Sequence, residues 1–223
     1  MFWQDEGYLL SKNNFNENSI IIEAFTSGHG KSSGIVYGGS SRKHKNKFQV
    51  GNKIMLDWKS KNENRLGYFT VELIDPISPI YFDNNKKTIC ILSACSILKV
   101  LLPENQSNKK LYLSFEKMLS SLKDNSWINI YIYWELLLIK ELGFEIDFQN
   151  NIKSLRDKSE YVKINDKSFK IPIFFNKKIS ERKSNLEIKN ALIFNRHLII
   201  ENFITPNKLK LPLSRTILEN YFS

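Results

Sequence analysis

The chain has 223 residues, 42% of them hydrophobic and 13% aromatic, which is ample for one large core or two small ones and excludes disorder as its main state. Lys and Arg number 33 against 23 Asp and Glu, a formal net charge of +10 with a pI near 9.4, so nucleic acid or another anionic surface is the favoured kind of partner. The excess has a second source: most of the basic residues are Lys, and a Lys/Asn/Ile bias is what an AT-rich genome imposes on any protein.

The N-terminus, MFWQDEGYLL, carries acids where a secretory leader requires lysines. Five short runs rich in β-branched and aromatic residues follow, punctuated by glycine: Gly7 to Leu10, Ser19 to Thr26, Gly34 to Tyr37, Lys53 to Trp58 and Gly67 to Ile74. Their period is two. Ile20, Ile22 and Ala24 oppose Ile21, Glu23 and Phe25, and Tyr68, Thr70 and Glu72 oppose Phe69, Val71 and Leu73. Five such strands with no long helical period predict a small closed antiparallel barrel of the OB-fold kind. Pro76 and Pro79 then break the pattern, which places a domain boundary between residues 78 and 79.

Beyond the boundary the period becomes helical. Thr88 to Leu102 is apolar nearly all round and ends at Pro103; Lys109 to Leu122 carries Leu111, Phe115, Met118, Leu119 and Leu122 on one stripe. Ser126 to Leu142, capped by Asn125 or Ser126 and stopped by Gly143, is the predicted central helix of a bundle. Residues 150–183 read as a polar, lysine-rich loop or hairpin insertion with extended pieces at Tyr161 to Ile164 and Phe169 to Phe175. Helices are expected again from Leu186 to about Ile204 and from Leu213 to Phe222. The predicted class is α+β in two domains, an OB-fold barrel over residues 1–78 and a helical domain over residues 79–223.

Cys90 and Cys95 lie in an apolar run, where they behave as small buried hydrophobes, and His29, His44 and His197 stand at no metal-ligand spacing to them. No metal or cofactor is expected. The most apolar stretch, Ile89 to Leu102, is interrupted by Ser93, Ser96 and Lys99 and is shorter than the roughly 20 residues that a membrane helix needs. The expectation is a cytoplasmic protein without a membrane partner.

The placement of charge is uneven. Residues 1–80 hold 10 basic and 8 acidic side chains, residues 81–150 hold 8 of each, and residues 151–223 hold 15 and 7. Within the barrel segment no acid stands between Glu23 and Asp57, and the same interval contains Arg42, Lys43, His44, Lys45 and Lys47. A loop of that composition between barrel strands is a natural clamp for phosphates, although a solvated loop has the same composition. Arg65 is a further candidate for DNA contact. Flat π surfaces for stacking bases are available in Tyr37, Phe48, Trp58, Tyr68 and Phe69, most of which must fill so small a barrel, leaving one or two exposed.

Two motifs fail on inspection. Thr26-Ser27-Gly28-His29-Gly30-Lys31-Ser32 resembles the end of a phosphate-binding P-loop, but Phe25 stands where the earlier glycine is required and the following residues are strand-like. Gly28 and Gly30 are expected to supply positive φ to a tight turn, with Lys31 as an incidental or DNA-facing cation. No nucleophile elbow is present, and Asp5-Glu6 and Glu145/Asp147 lie at a terminus and past a helix end, so an enzyme is not expected.

Trp3-Gln4-Asp5-Glu6-Gly7-Tyr8-Leu9-Leu10-Ser11, Phe25 to Lys31, Gly38-Gly39-Ser40-Ser41-Arg42-Lys43 and Phe48-Gln49-Val50-Gly51-Asn52 together resemble the N-terminal domain of the RecO family of DNA repair proteins. Tyr133 to Phe144 resembles that family's central helix, and Leu211-Pro212-Leu213-Ser214-Arg215 its C-terminal signature, so the resemblance runs through the chain in order. It implies a recombination mediator that binds single- and double-stranded DNA, anneals complementary strands, binds the C-terminal tail of the single-stranded DNA-binding protein SSB, and with RecR helps load RecA, RecF taking part indirectly. It implies a nucleoid-associated bacterial protein. DNA contacts would fall on Lys31, Arg42, Lys43, Lys45 and Lys47, beside the candidates His44 and Arg65 already named, and partner contacts on Trp134, Leu138 and Arg215. Many members carry a four-cysteine zinc module between the central and final helices, whereas residues 150–183 here hold no Cys or His, so no zinc is expected. Tyr133 also stands where basic residues are common in the family. The competing reading is a non-catalytic adaptor that recruits partners through its helical domain, with only incidental DNA binding; a general RNA-binding barrel is a third.

Overall fold

The computed structural model describes residues 1–41, 46–61, 66–144 and 161–223. They divide into two compact units, one of residues 1–113 with 212–215 and the other of residues 114–211 with 216–223.

In the first unit, β1 (Phe2–Asn14), β2 (Ser19–Thr26), β3 (Gly30–Tyr37), β4 (Lys53–Lys59) and β5 (Gly67–Asp75) close into a barrel in the order β1-β2-β3-β5-β4. Every neighbouring pair is antiparallel except β3 and β5, which run parallel. This is the OB-fold expected from the period of two. Leu9, Ile20, Ile22, Ala24, Val36, Phe48, Ile54, Leu56, Phe69 and Val71 fill the interior. Each fully buried Leu or Ile among them contributes about 1.5–3 kcal/mol of transfer free energy. β1 is longer at both ends than expected, because Phe2 to Glu6 pair with β4 although Gln4, Asp5 and Glu6 are polar, and Ser11 to Asn14 pair with β2. A register shift between Leu9 and Ser11 lets Tyr8, Leu9 and Leu10 all be buried in succession.

The unit does not stop at residue 78. A single-turn helix α1 (Ile77–Ile80) and a long helix α2 (Asn85–Leu101) belong to it, as does the start of α3 (Lys109–Ser120). Pro79 was expected to break any element, yet a proline inside the first helical turn lacks only an N–H that would have no partner there. Asn84 caps α2, its side chain accepting the Lys87 N–H at 3.1 Å. Cys90, Ile91, Ala94, Cys95, Ile97 and Leu98 are buried along α2, and burial pushes the Cys95 thiol far up. Gly51, at φ +91°, leaves space that a Cβ would take from Ile91, its ideal position lying 2.2 Å from Ile91 Cγ2.

In the second unit, α4 (Trp127–Glu141) and α5 (Asn185–Ile199) carry the core. Glu135, fully buried, accepts from the Tyr131 hydroxyl at 2.8 Å and from Asn195 Nδ2 at 3.1 Å, and Asn195 Nδ2 also reaches the Ile132 carbonyl at 2.9 Å. Ser126 precedes α4 without a side-chain capping bond, whereas Ser184 and Glu187 form a capping box on α5. The expected insertion contains a hairpin, β6 (Tyr161–Ile164) and β7 (Lys167–Lys170). Where an extended piece was expected to continue to Phe175, Pro172 instead opens a 3₁₀ turn at Ile173–Asn176. The α5 helix passes into a π turn at Ile200–Ile204, and α6 (Leu213–Asn220) ends two residues before the expected Phe222.

Candidate nucleic-acid interface

The loop from β3 to β4 begins at Gly38, with φ +71°, and its Ser40 hydroxyl donates to the Glu17 carbonyl at 2.8 Å. Arg42, Lys43, His44 and Lys45, and likewise Arg65, lie outside the described residues. The far end of the loop is held by Asn52, a fully buried residue whose Nδ2 donates to the carbonyls of Asn46 at 3.2 Å and Lys47 at 3.4 Å, while its Oδ1 accepts the Ser78 N–H at 3.1 Å. That explains the Phe48 to Asn52 signature physically: Phe48 enters the core and Asn52 fixes the backbone on which Lys47 stands. Lys47 is half-buried, and its ammonium donates to the Val71 carbonyl at 3.1 Å, a neutral partner.

Lys31 corrects an expectation. Its ammonium lies 3.2 Å from Glu104 Oε1 and donates to the Lys99 carbonyl at 3.0 Å, and the residue is only 8% exposed. It is an internal tie, largely withdrawn from solvent, where a DNA-facing cation was one expectation. The turn that carries it also differs in one respect: Gly30 has φ +69°, whereas Gly28 is not in the left-handed region and instead donates its N–H to Asp5 Oδ2 at 2.8 Å.

That contact belongs to a cluster that sequence reasoning missed. Asp5 accepts from Ser27 Oγ at 3.0 Å and pairs with His29 Nδ1 at 2.9 Å, and the His29 ring stacks on Trp3 with centroids 4.2 Å apart. Trp3 in turn stacks on Trp58 at 5.6 Å, closing the barrel over Phe69. Burial pushes the Asp5 carboxyl up, but the bonds from His29, Gly28 and Ser27 outweigh it and hold the group below its ordinary value. The signal was present: Trp3 to Glu6 and Ser27 to Gly30 are two motifs of one resemblance, and they meet here.

Of the five aromatics put forward for stacking, Phe48 and Phe69 are in the core, Trp58 packs against it, and Tyr37 and Tyr68 are exposed. The residues expected to contact partners are all interior, which corrects their expected role as a surface: Trp134 is 3% exposed, Leu138 and Arg215 are fully buried. Trp134 packs on Phe115 and Tyr131, with centroids 5.6 and 5.8 Å away. Tyr133 lies between Phe174 and Phe175, where burial pushes its hydroxyl up. Among the described residues no group of three or more His, Cys, Asp or Glu could hold a metal ion, and no helix is long and apolar enough to cross a membrane.

A closed five-stranded barrel in this strand order, continued by helices, defines an OB-fold protein with a helical extension. The family profile described as "Recombination protein O N terminal" matches residues 1–77, and "Recombination protein O C terminal" matches residues 84–193. The chain belongs to the RecO family. Relatives named "DNA repair protein RecO" include those of Cereibacter sphaeroides, 36% identical over 146 residues covering 65% of this chain and 61% of the relative, and of a Wolbachia from Culex pipiens, 35% identical over 149 residues covering 66% and 61%. That of Ehrlichia chaffeensis is 34% identical over 149 residues, covering 66% and 60%. The matched part thus spans about three fifths of the length of these relatives.

Proposed function

We propose that the chain acts in DNA repair as a non-catalytic recombination mediator. Its barrel holds single- and double-stranded DNA and anneals complementary strands; contacts with the SSB tail and RecR then support RecA loading in the bacterial cytoplasm, RecF taking part indirectly. The observation that carries this reading is the acid-free interval from residue 24 to 56 of the barrel, with Arg42, Lys43, His44, Lys45 and Lys47 in it, in a chain matched by both family profiles. The mechanism is electrostatic. Neutralising phosphates on two strands releases counterions and removes their mutual repulsion, while a grip on the backbone leaves base edges free to pair. No covalent bond is made or broken.

Annealing of two complementary oligonucleotides coated with SSB, at two salt concentrations, tests it. Acceleration that fades as salt rises is expected, and replacing Arg42, Lys43, Lys45 and Lys47 by Ala should remove it and flatten the salt dependence of binding. No acceleration by the unaltered chain, with SSB tail binding intact, would overturn the mediator reading in favour of an adaptor.

A further inference from the structure

We infer that Tyr37 and Tyr68 form a stacking platform for the unpaired bases of single-stranded DNA; this rests on the barrel being the DNA-binding part proposed above. The alternation that sends Val36 and Phe69 into the core turns their neighbours outward, so Tyr37, the last residue of β3, is 68% exposed and Tyr68, at the start of β5, is 39% exposed. Their ring centroids stand 6.2 Å apart with planes at 54°, too splayed to cover each other. The parallel register pairs Ile35 with Tyr68, and Tyr37 lies two residues further along the same face. On its other side Tyr68 pairs with Lys59, which pairs with Phe2. Both are exposed, and the Lys59 ammonium stands 5.5 Å from the Phe2 ring centroid.

The outer row is therefore ring, cation, ring, with no carboxylate in it. An apolar protein anchor seated there would have to desolvate Lys59, whereas a nucleic acid strand puts a phosphate beside the ammonium and a base on each tyrosine. From Tyr37 the chain also runs, through Gly38 to Ser41, directly into Arg42. In a duplex the base faces are already stacked on one another, so the platform selects single strands.

The test compares the chain and its Tyr37→Ala/Tyr68→Ala variant on three probes of equal length: an oligo(dT) strand, an abasic strand with the same phosphates, and a duplex. The double variant should lose about tenfold or more in affinity for oligo(dT), the scale of losing base stacking on aromatic rings. It should bind the abasic strand and the duplex as the unaltered chain does, with the same salt dependence. Tyr37→Phe/Tyr68→Phe should bind oligo(dT) normally, and thermal unfolding of both variants shows whether the exposed sites left the fold intact. Equal affinity of the Ala variant and the unaltered chain for oligo(dT), or an equal loss on all three probes, overturns the platform while leaving DNA binding standing. Failure of the unaltered chain to bind any probe overturns the proposed function and the platform with it.

Discussion

Lys31 in the barrel unit and Lys183 in the helical unit are both 8% exposed, and both enter the charge count that first pointed to nucleic acid. Their ammonium groups are held in opposite ways. Lys31 meets the Glu104 carboxylate and the Lys99 carbonyl, partners about seventy positions away in the sequence, and the backbone follows, since Asn105 N–H donates to the Lys31 carbonyl at 2.8 Å. Lys183 donates to the carbonyls of Lys178 at 2.7 Å and Glu181 at 3.4 Å and sits 4.6 Å from the Phe174 ring centroid, so its hydrogen bonds stay within five residues. Burial pushes its ammonium down, against the pull of Glu181 and Glu187. A long-range tie and a local staple thus look the same in a count of lysines, and both are largely withdrawn from solvent.

Loss of the long-range tie should be the larger. Lys31→Met keeps the buried methylenes but leaves the Lys99 carbonyl without this donor and removes the ion pair, which should lower stability by about 2 kcal/mol, read from urea midpoints at unchanged slope. Because Glu104 is half exposed and can rehydrate, the cost stays below that of stranding a buried carboxylate. DNA affinity should not change. A fall in affinity with a shallower salt slope would return Lys31 to the DNA-facing set and break the comparison.

Lys183→Met should cost less, about 1 kcal/mol, and act locally. The Lys178 and Glu181 carbonyls keep other donors, the Glu181 N–H at 3.1 Å and Asn129 Nδ2 at 3.3 Å, so the expected readout is faster hydrogen exchange over residues 177–183 with the global midpoint little moved. An effect equal to that of Lys31→Met would show that Phe174, which the ammonium covers, depends on it for its seat in the core.

The barrel was legible because alternation is a local property: Phe69, Val71, Tyr68 and Thr70 could be assigned to their faces from β5 alone. The same logic left one or two aromatics for the surface, and Tyr37 and Tyr68 are those two. What could not be read were pairings across the chain. Lys31 looked free because Glu104 lies beyond the expected boundary at residue 78, and α2 falls in the barrel's unit although its helical period suggested a separate domain. Trp134 and Leu138 stand in the helix that resembles the family's, but large apolar side chains on the central helix of a core are buried by default. The capping box at Ser184 and Glu187 was readable in principle, since a serine stands three residues before a glutamate at a helix start.

The smallest effect expected in the helical unit is a pH dependence confined to its hairpin. His197 on α5 stacks on Phe169 of β7 with centroids 4.9 Å apart, while Lys167 of the same strand pairs with Glu201 at 2.7 Å. Burial, then the neighbouring Arg196 charge, hold His197 below its ordinary value of 6.5, with Glu201 and Glu219 acting in the opposite direction. The unfolded or undocked segment therefore binds a proton at a higher pH than the docked one. Docking stability is fully present above 6.5 and is lost as pH falls from there through the depressed folded value. Hydrogen exchange of the Val162 and Phe169 amides, corrected for intrinsic rates, should speed up over that interval, and His197→Phe, which keeps a ring against Phe169, should abolish the change. The same acceleration in the Phe variant would move the cause to the Lys167–Glu201 pair and make the hairpin's docking, like the Lys31 tie, a matter of ion pairing.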